Sequence, residues 1–194
     1  LKSSSAAANA AVLATLRALE REVKPLDAVR LGVQAAKDAG VTITGAFDDA
    51  CASMLGGVVV TDNKKMKVIK RALFKSDVLA LVPERKVYSA DANVSRARAL
   101  APLVEAAYAL ALKGNYERAM ILNGLLYCAA LGFDCMPILL AIENGARAAS
   151  LSGTGPAYVA LVDRKSEIAV RSSWEEIGTV IKTKTNNRRA YGDR

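Results

Sequence analysis

Ser3, Ser4 and Ser5 run without a break into Ala6, Ala7 and Ala8. Ala is the strongest helix former and Ser one of the preferred N-cap residues, so the junction starts a helix. The first N–H groups of a helix lack partners, and with the summed peptide dipoles they carry roughly half a positive charge. Hydroxyls set among those N–H groups make the end a place for a phosphate, and a hydroxyl can also ligate a metal ion. Val12, Leu16, Leu19 and Val23 follow at helical spacing. The helix is therefore expected to pack along one face, to end near Lys24-Pro25 and to hold its serine end rigidly.

Behind that helix the pattern alternates helices with short strands. A second helix is predicted from Pro25 to Ala39, stopped by Gly40, with Leu26, Val29, Val33 and Ala36 on one face. A short helix follows in the segment 41–57 and closes at Gly56-Gly57. Val58 to Thr61 is a β-branched strand, Asp62-Asn63 a turn, and Met66 to Leu73 the returning strand of a hairpin. Lys64, Lys65, Lys67, Lys70 and Arg71 crowd this hairpin and read as a solvated edge protected by charge. Asp77 to Pro83 is a further strand. Helices are expected over Ser89–Lys113, Tyr116–Leu131 and Pro137–Asn144. After them come a glycine loop, a strand from Tyr158 to Val162, a short helix over Ser172–Ile177 and a closing strand over Thr179–Lys184. This is an α+β pattern. Composition shifts from sheet to helix between Pro83 and Asp91, which suggests domains 1–85 and 86–194.

Composition narrows the chemistry. The chain has 194 residues and is 52% apolar, enough for a folded core. The net charge of +8 suits nucleic acid, acidic lipid or anionic metabolites, but only 5% of residues are aromatic and no basic–aromatic stacking pattern appears. There is no histidine, so Ser-His and Cys-His mechanisms and His-ligated zinc are excluded. Acid–base work falls to Asp, Glu, Lys or Tyr. Cys51, Cys128 and Cys135 are an odd set without a CxxC pair, which fits reduced thiols in the cytoplasm. The uncharged segment from Ala119 to Phe133 is too short to span a bilayer, so no membrane partner is expected.

Two further segments carry chemistry. Asp48 and Asp49 adjoin Gly45-Ala46-Phe47. One aspartate can cap the helix that follows, but a cap needs only one. A carboxylate beside a phosphate loop can accept the proton of an attacking hydroxyl. Gly153-Thr154-Gly155, before a strand, permits unusual φ and close backbone approach.

Taken together, these segments resemble the GHMP kinases, which phosphorylate small hydroxylated metabolites. Leu1-Lys2-Ser3-Ser4-Ser5-Ala6 is similar to that superfamily's second motif, a loop entering a helix, and the resemblance implies that these six residues wrap the ATP phosphates. Gly153, Thr154 and Gly155 resemble the third motif, which supports that loop from the second domain. The spacing of the aspartates to Gly56-Gly57 resembles the family's catalytic aspartate, with Asp49 matching better and Asp48 matching other members. The family's magnesium is held by a motif-two serine and an acidic residue on the preceding helix. Ser5 and Asp38, eleven positions before Asp49, resemble that pair.

SSSAAANA, TGAFDDACAS with GGVVVTDN, Asn123-Gly124 and SGTGPAYVAL resemble, as a set, the archaeal-type shikimate kinases, as does the terminal KTNN. The resemblance implies a GHMP fold: an N-terminal domain like the second domain of ribosomal protein S5, truncated here, then a ferredoxin-like C-terminal domain. It implies ATP and Mg2+ as cofactors, shikimate as substrate and phosphorylation of its 3-hydroxyl. A homoserine- or mevalonate-type kinase is the near alternative. A non-catalytic S5-like RNA-binding domain is the distant one, and the kinase reading expects no nucleic-acid partner. The chain begins with Leu1 inside the motif, so the expectation is a fragment, or one chain of a split protein whose missing N-terminal segment is a separate partner. Arg188-Arg189 depart from the family, which favours small or acidic residues there.

Overall fold

The computed structural model describes residues 3–40, 45–84 and 94–191. They pack as two units: one runs from Ser76 to Thr185, and the other comprises the chain before it together with the tail from Asn186.

The first-described half of the chain builds a small helical core beside a hairpin. Helix α1 covers Ser3–Ala18, α2 Pro25–Asp38 and α3 Phe47–Leu55. Pro25 opens α2, where its missing N–H costs nothing. Val29, Val33, Phe47, Cys51 and Met54 are fully buried, and Val12, Leu13 and Leu16 pack against them. Helix α1 ends earlier than Lys24. Glu20 turns left-handed (φ 52°), its N–H donates to Arg17 O at 3.1 Å, and the Arg21 N–H donates to Leu16 O at 2.8 Å. This is a Schellman closure with Glu in place of the usual Gly. It swings Leu19 into solvent, 64% exposed, against the expectation that it packs.

Strands β1 (Val58–Asp62) and β2 (Lys67–Ala72) form the expected hairpin. Arg71 is not part of a solvated edge. Its guanidinium donates to Leu55 O (2.7 and 3.0 Å), Gly56 O (3.1 Å) and Asn187 O (3.1 Å), so it caps the C-terminus of α3 and holds the returning tail. Asn187 locks that tail, accepting from Phe74 N at 2.9 Å and donating to Phe74 O at 3.0 Å. The glycines of the expected helix stop are needed for this approach. A Cβ at Gly56 would stand 2.4 Å from Arg188 O, and one at Gly57 2.4 Å from Ala72 O.

The other unit is a four-stranded antiparallel sheet in the order β4-β5-β3-β6. Its elements follow the chain as β3 (Asp77–Pro83), α4 (Val94–Leu112), α5 (Tyr116–Leu131), α6 (Met136–Glu143), β4 (Ala148–Leu151), β5 (Tyr158–Val162), α7 (Glu167–Glu175) and β6 (Gly178–Lys184). This resembles the β-α-β-β-α-β connectivity of split βαβ folds, with three helices in place of the first one. Strand β3 lies between β5 and β6, so a boundary at residue 85 separates it from its partners, and the tail beyond Thr185 returns to the first unit. Strand β4 was not expected. It is four buried residues abutting the glycine loop. Helix α7 begins five residues before the expected Ser172, because Asp163 accepts from Lys165 N, Ser166 N and Ser166 Oγ and so shapes the turn that launches it. Trp174, fully buried, donates from its indole N–H to Pro137 O at 2.9 Å and fixes α7 on α6.

Candidate active site

Helix α1 has no acidic residue in its first turn, so nothing there offsets its positive end. Ser4 and Ala6 are exposed, whereas Ser5 is buried to 9%. Ser4 and Ser5 open a cavity of about 250 Å³, walled further by Ala8, Asn9, Gly32 and Val33 and by the approach and first turn of α3 through Gly45, Ala46 and Ala50. Gly45 (φ 81°) and Ala46 (φ 43°) are both left-handed. A left-handed alanine is strained by roughly 1–3 kcal/mol, a cost that concentrates at functional sites. At Gly45 a Cβ would meet Val33 Cγ1 at 2.6 Å, so only glycine admits this turn.

Asp48 and Asp49 occupy the first turn of α3, between the cavity residues Ala46 and Ala50. Asp48 is exposed and Asp49 half-buried. The Asp48 carboxylate accepts from Asn63 Nδ2 at 2.9 Å, and Asn63 Oδ1 accepts from Thr61 Oγ1 at 2.7 Å, so the hairpin turn orients Asp48. Cys51, one turn on, is no nucleophile. Burial pushes its thiol up to about 12, the Asp48 charge adds to this, and Arg30 opposes it.

Asp38 closes α2, exposed, and accepts from Gln34 Nε2 at 2.7 Å. It does not wall the cavity, although Ala35 and Ala36 do. Among the described residues no three Cys, Asp or Glu gather as a metal cage. A phosphate-bound magnesium needs only one or two protein ligands, and the Ser5 hydroxyl at the cavity mouth suits that role. Leu1 and Lys2 lie outside the described residues, and of Ser3 only the backbone is described, as the first residue of α1.

Gly153, Thr154 and Gly155 belong to the other unit, in the turn from β4 to β5. Gly153 (φ 60°) and Gly155 (φ 75°) are left-handed, and a Cβ at Gly155 would meet the Phe133 ring at 2.7 Å. The loop is therefore packed down on its own unit. Gly124 has a similar cause: it lets α5 approach β4, where a Cβ would stand 2.7 Å from Ser150 Cα. Sequence reasoning missed Asn9, whose signal was a lone polar side chain four residues after Ser5, hence on the same helix face.

Residues 1–57 match the family model described as GHMP kinases N terminal domain. The homoserine kinase of Cytophaga hutchinsonii has the same fold, with a TM-score of 0.64 at 22% identity over 93% of this chain and 64% of that one. Fold and serine-headed helix thus define a protein of the GHMP kinase class. The shikimate kinase of Methanosarcina acetivorans is 60% identical over 98% of this chain and 66% of its own length. That of Methanocella arvoryzae is 53% identical over 98% of this chain and 67% of its own. The chain belongs to this archaeal shikimate kinase family, and it spans just under two thirds of the length of the Methanosarcina protein.

Proposed function

We propose that the protein transfers the γ-phosphoryl group of ATP to the 3-hydroxyl of shikimate. The observation that carries this is a cavity at the serine end of α1 that reaches Ala50 in the first turn of α3, the turn that bears Asp48 and Asp49, although neither aspartate lines it. The α1 N–H groups with Ser3, Ser4 and Ser5 would bind the triphosphate, together with Leu1, Lys2 and Ala6. Asp49 would orient or deprotonate the attacking hydroxyl, held in place on a helix whose neighbouring Asp48 is anchored by Asn63. Gly153-Thr154-Gly155 would be the third motif on the strength of the resemblance alone. Magnesium would be held by Ser5, with Asp38 as second candidate, and would supply neutralisation of phosphate charge. The transition state is loose, so positioning and charge matter more than base strength. Three free thiols suit a reducing compartment such as the cytoplasm. Among the described residues no helix is long and apolar enough to cross a membrane.

The test is ATP-dependent phosphorylation across a panel of shikimate, homoserine and mevalonate. Shikimate is expected to be turned over best, and preference for either rival moves the protein to another branch of the class. Ser4→Ala and Ser5→Ala are expected to weaken Mg-ATP binding or turnover. Unchanged values in both would remove the phosphate assignment. Salt-dependent RNA binding without ATP turnover would favour the S5-like alternative.

A further inference from the structure

Asn9 is 3% exposed and sits in a wall made, beyond Ser4 and Ser5, of alanine, glycine and valine. Its Nδ2 donates to the Ala50 carbonyl at 2.9 Å, across 41 residues of chain. That bond fixes the amide orientation, since a flipped amide would set two carbonyl oxygens against each other. Oδ1 is then left as a buried acceptor without a partner among the described residues. A half-satisfied buried amide costs stability, and an alanine there would leave no such acceptor. Against that cost, stability gains only from the Asn9–Ala50 bond.

Its geometry does offer an account. Ser5 and Asn9 are one helical turn apart on the buried face of α1, and Ala50 directly follows Asp49 on α3. We infer that Asn9 is a positioning residue that sets Asp49 against the phosphate-binding end of α1. The inference rests on the reading of Asp49 as the proton acceptor. A nine-residue helix is too short to hold itself in place. The Asn9–Ala50 bond ties its first turn, rather than its far end, to the helix that carries the serines. Misplacing a reacting group by about 1 Å can cost on the order of 100-fold in rate.

The test is a double-mutant cycle in the intact enzyme: Asn9→Ala, Asp49→Asn and the pair, each with kcat, the KM for ATP and a thermal melt. Asn9→Ala is expected to lower kcat by about 10- to 100-fold with little change in the KM for ATP. In the Asp49→Asn background the same change should cost less than about threefold, because the group it positions is already gone. Equal factors in the two backgrounds, or an unchanged kcat for Asn9→Ala alone, would overturn the inference while leaving Asp49 in place. If Asp49→Asn itself costs nothing, the reading of Asp49 falls, and the inference with it. Should Asn9→Ala fail to fold, Asn9→Leu keeps the shape, removes the same donor and enters the same cycle.

Discussion

Gly124→Ala puts the close packing of α5 on β4 to a test. In a mid-helix position alanine is normally preferred over glycine by roughly 1 kcal/mol. Here an added Cβ would stand 2.6 Å from Ser150 Oγ, 2.7 Å from its Cα and 2.9 Å from its Cβ. Ordinary carbon contacts lie near about 3.5–4.0 Å, so the shortfall is about 1 Å. The hydroxyl could rotate away, but Cα could not. Ser150 is registered against Val159 of β5, so the edge strand cannot retreat without disturbing that ladder. Helix α5 must lift instead, which places the cost at the upper end of the usual overpacking range, about 3 kcal/mol. Net of propensity, destabilisation is about 2 kcal/mol, or roughly 4–8 °C in Tm for a chain of this size. Calorimetry or circular dichroism at matched scan rates measures it. Adding Ser150→Gly removes two of the three contacts and should recover part of the loss. An unchanged or raised Tm for Gly124→Ala would refute the argument.

Asp49→Asn is expected to lower kcat by about 10²–10⁴-fold while ATP still binds, the range of general-base contributions. Asp48→Asn should do less, and abolition of turnover by Asp48→Asn alone would exchange the two roles. Burial raises the Cys51 thiol to about 12 and the Cys128 thiol to about 11, so at pH 8 a thiol reagent should modify native protein at Cys135 alone, and all three after denaturation. Both shifts are upward. Their contribution to stability is therefore complete below the unfolded thiol range near pH 9 and is lost as pH rises through it towards 11–12, so the Tm should fall over that window. Mass spectrometry of the labelled protein and melts from pH 8 upward decide both points. Rapid native labelling of Cys51 would contradict its burial.

What was legible in the sequence was what is local. Helix α5 runs from Tyr116 to Leu131 as read, because Gly114-Asn115 and the left-handed Gly132 punctuate it. The hairpin follows from a β-branched run, a turn and a second run. The serines and the aspartate pair were visible because their chemistry is written in adjacent residues. Arg71 was misjudged as a solvated charge because nothing in KVIKRA says that its partners are the carbonyls of Leu55, Gly56 and Asn187. Asn187 bonds Phe74 across 113 residues and Asn9 bonds Ala50 across 41, and no local pattern encodes either. The boundary at residue 85 misplaced β3 for the same reason: its sequence says strand, and only pairing with β5 and β6 says which sheet.

The non-local bonds converge on one element. Helix α3 has nine residues, a left-handed alanine before it and a strained glycine after it, and in isolation such a segment does not stay helical. It is instead gripped along its length. Asn63 holds Asp48, Asn9 holds the Ala50 carbonyl, the Ala190 N–H donates to Met54 O at 2.8 Å, and Arg71 closes the last carbonyls. The side chains of Phe47, Cys51 and Met54 are fully buried in the core beside it. On the proposed reading two carboxylates would stand near a site for polyphosphate, which is electrostatically unfavourable, and a floppy segment would relieve that by moving away. Fixing the helix from the hairpin, from α1 and from the tail denies it that escape. The proposed role of Asp49 needs a carboxylate held in this way, and the residues that hold α3, from Asn9 to Ala190, are spread over nearly the whole chain.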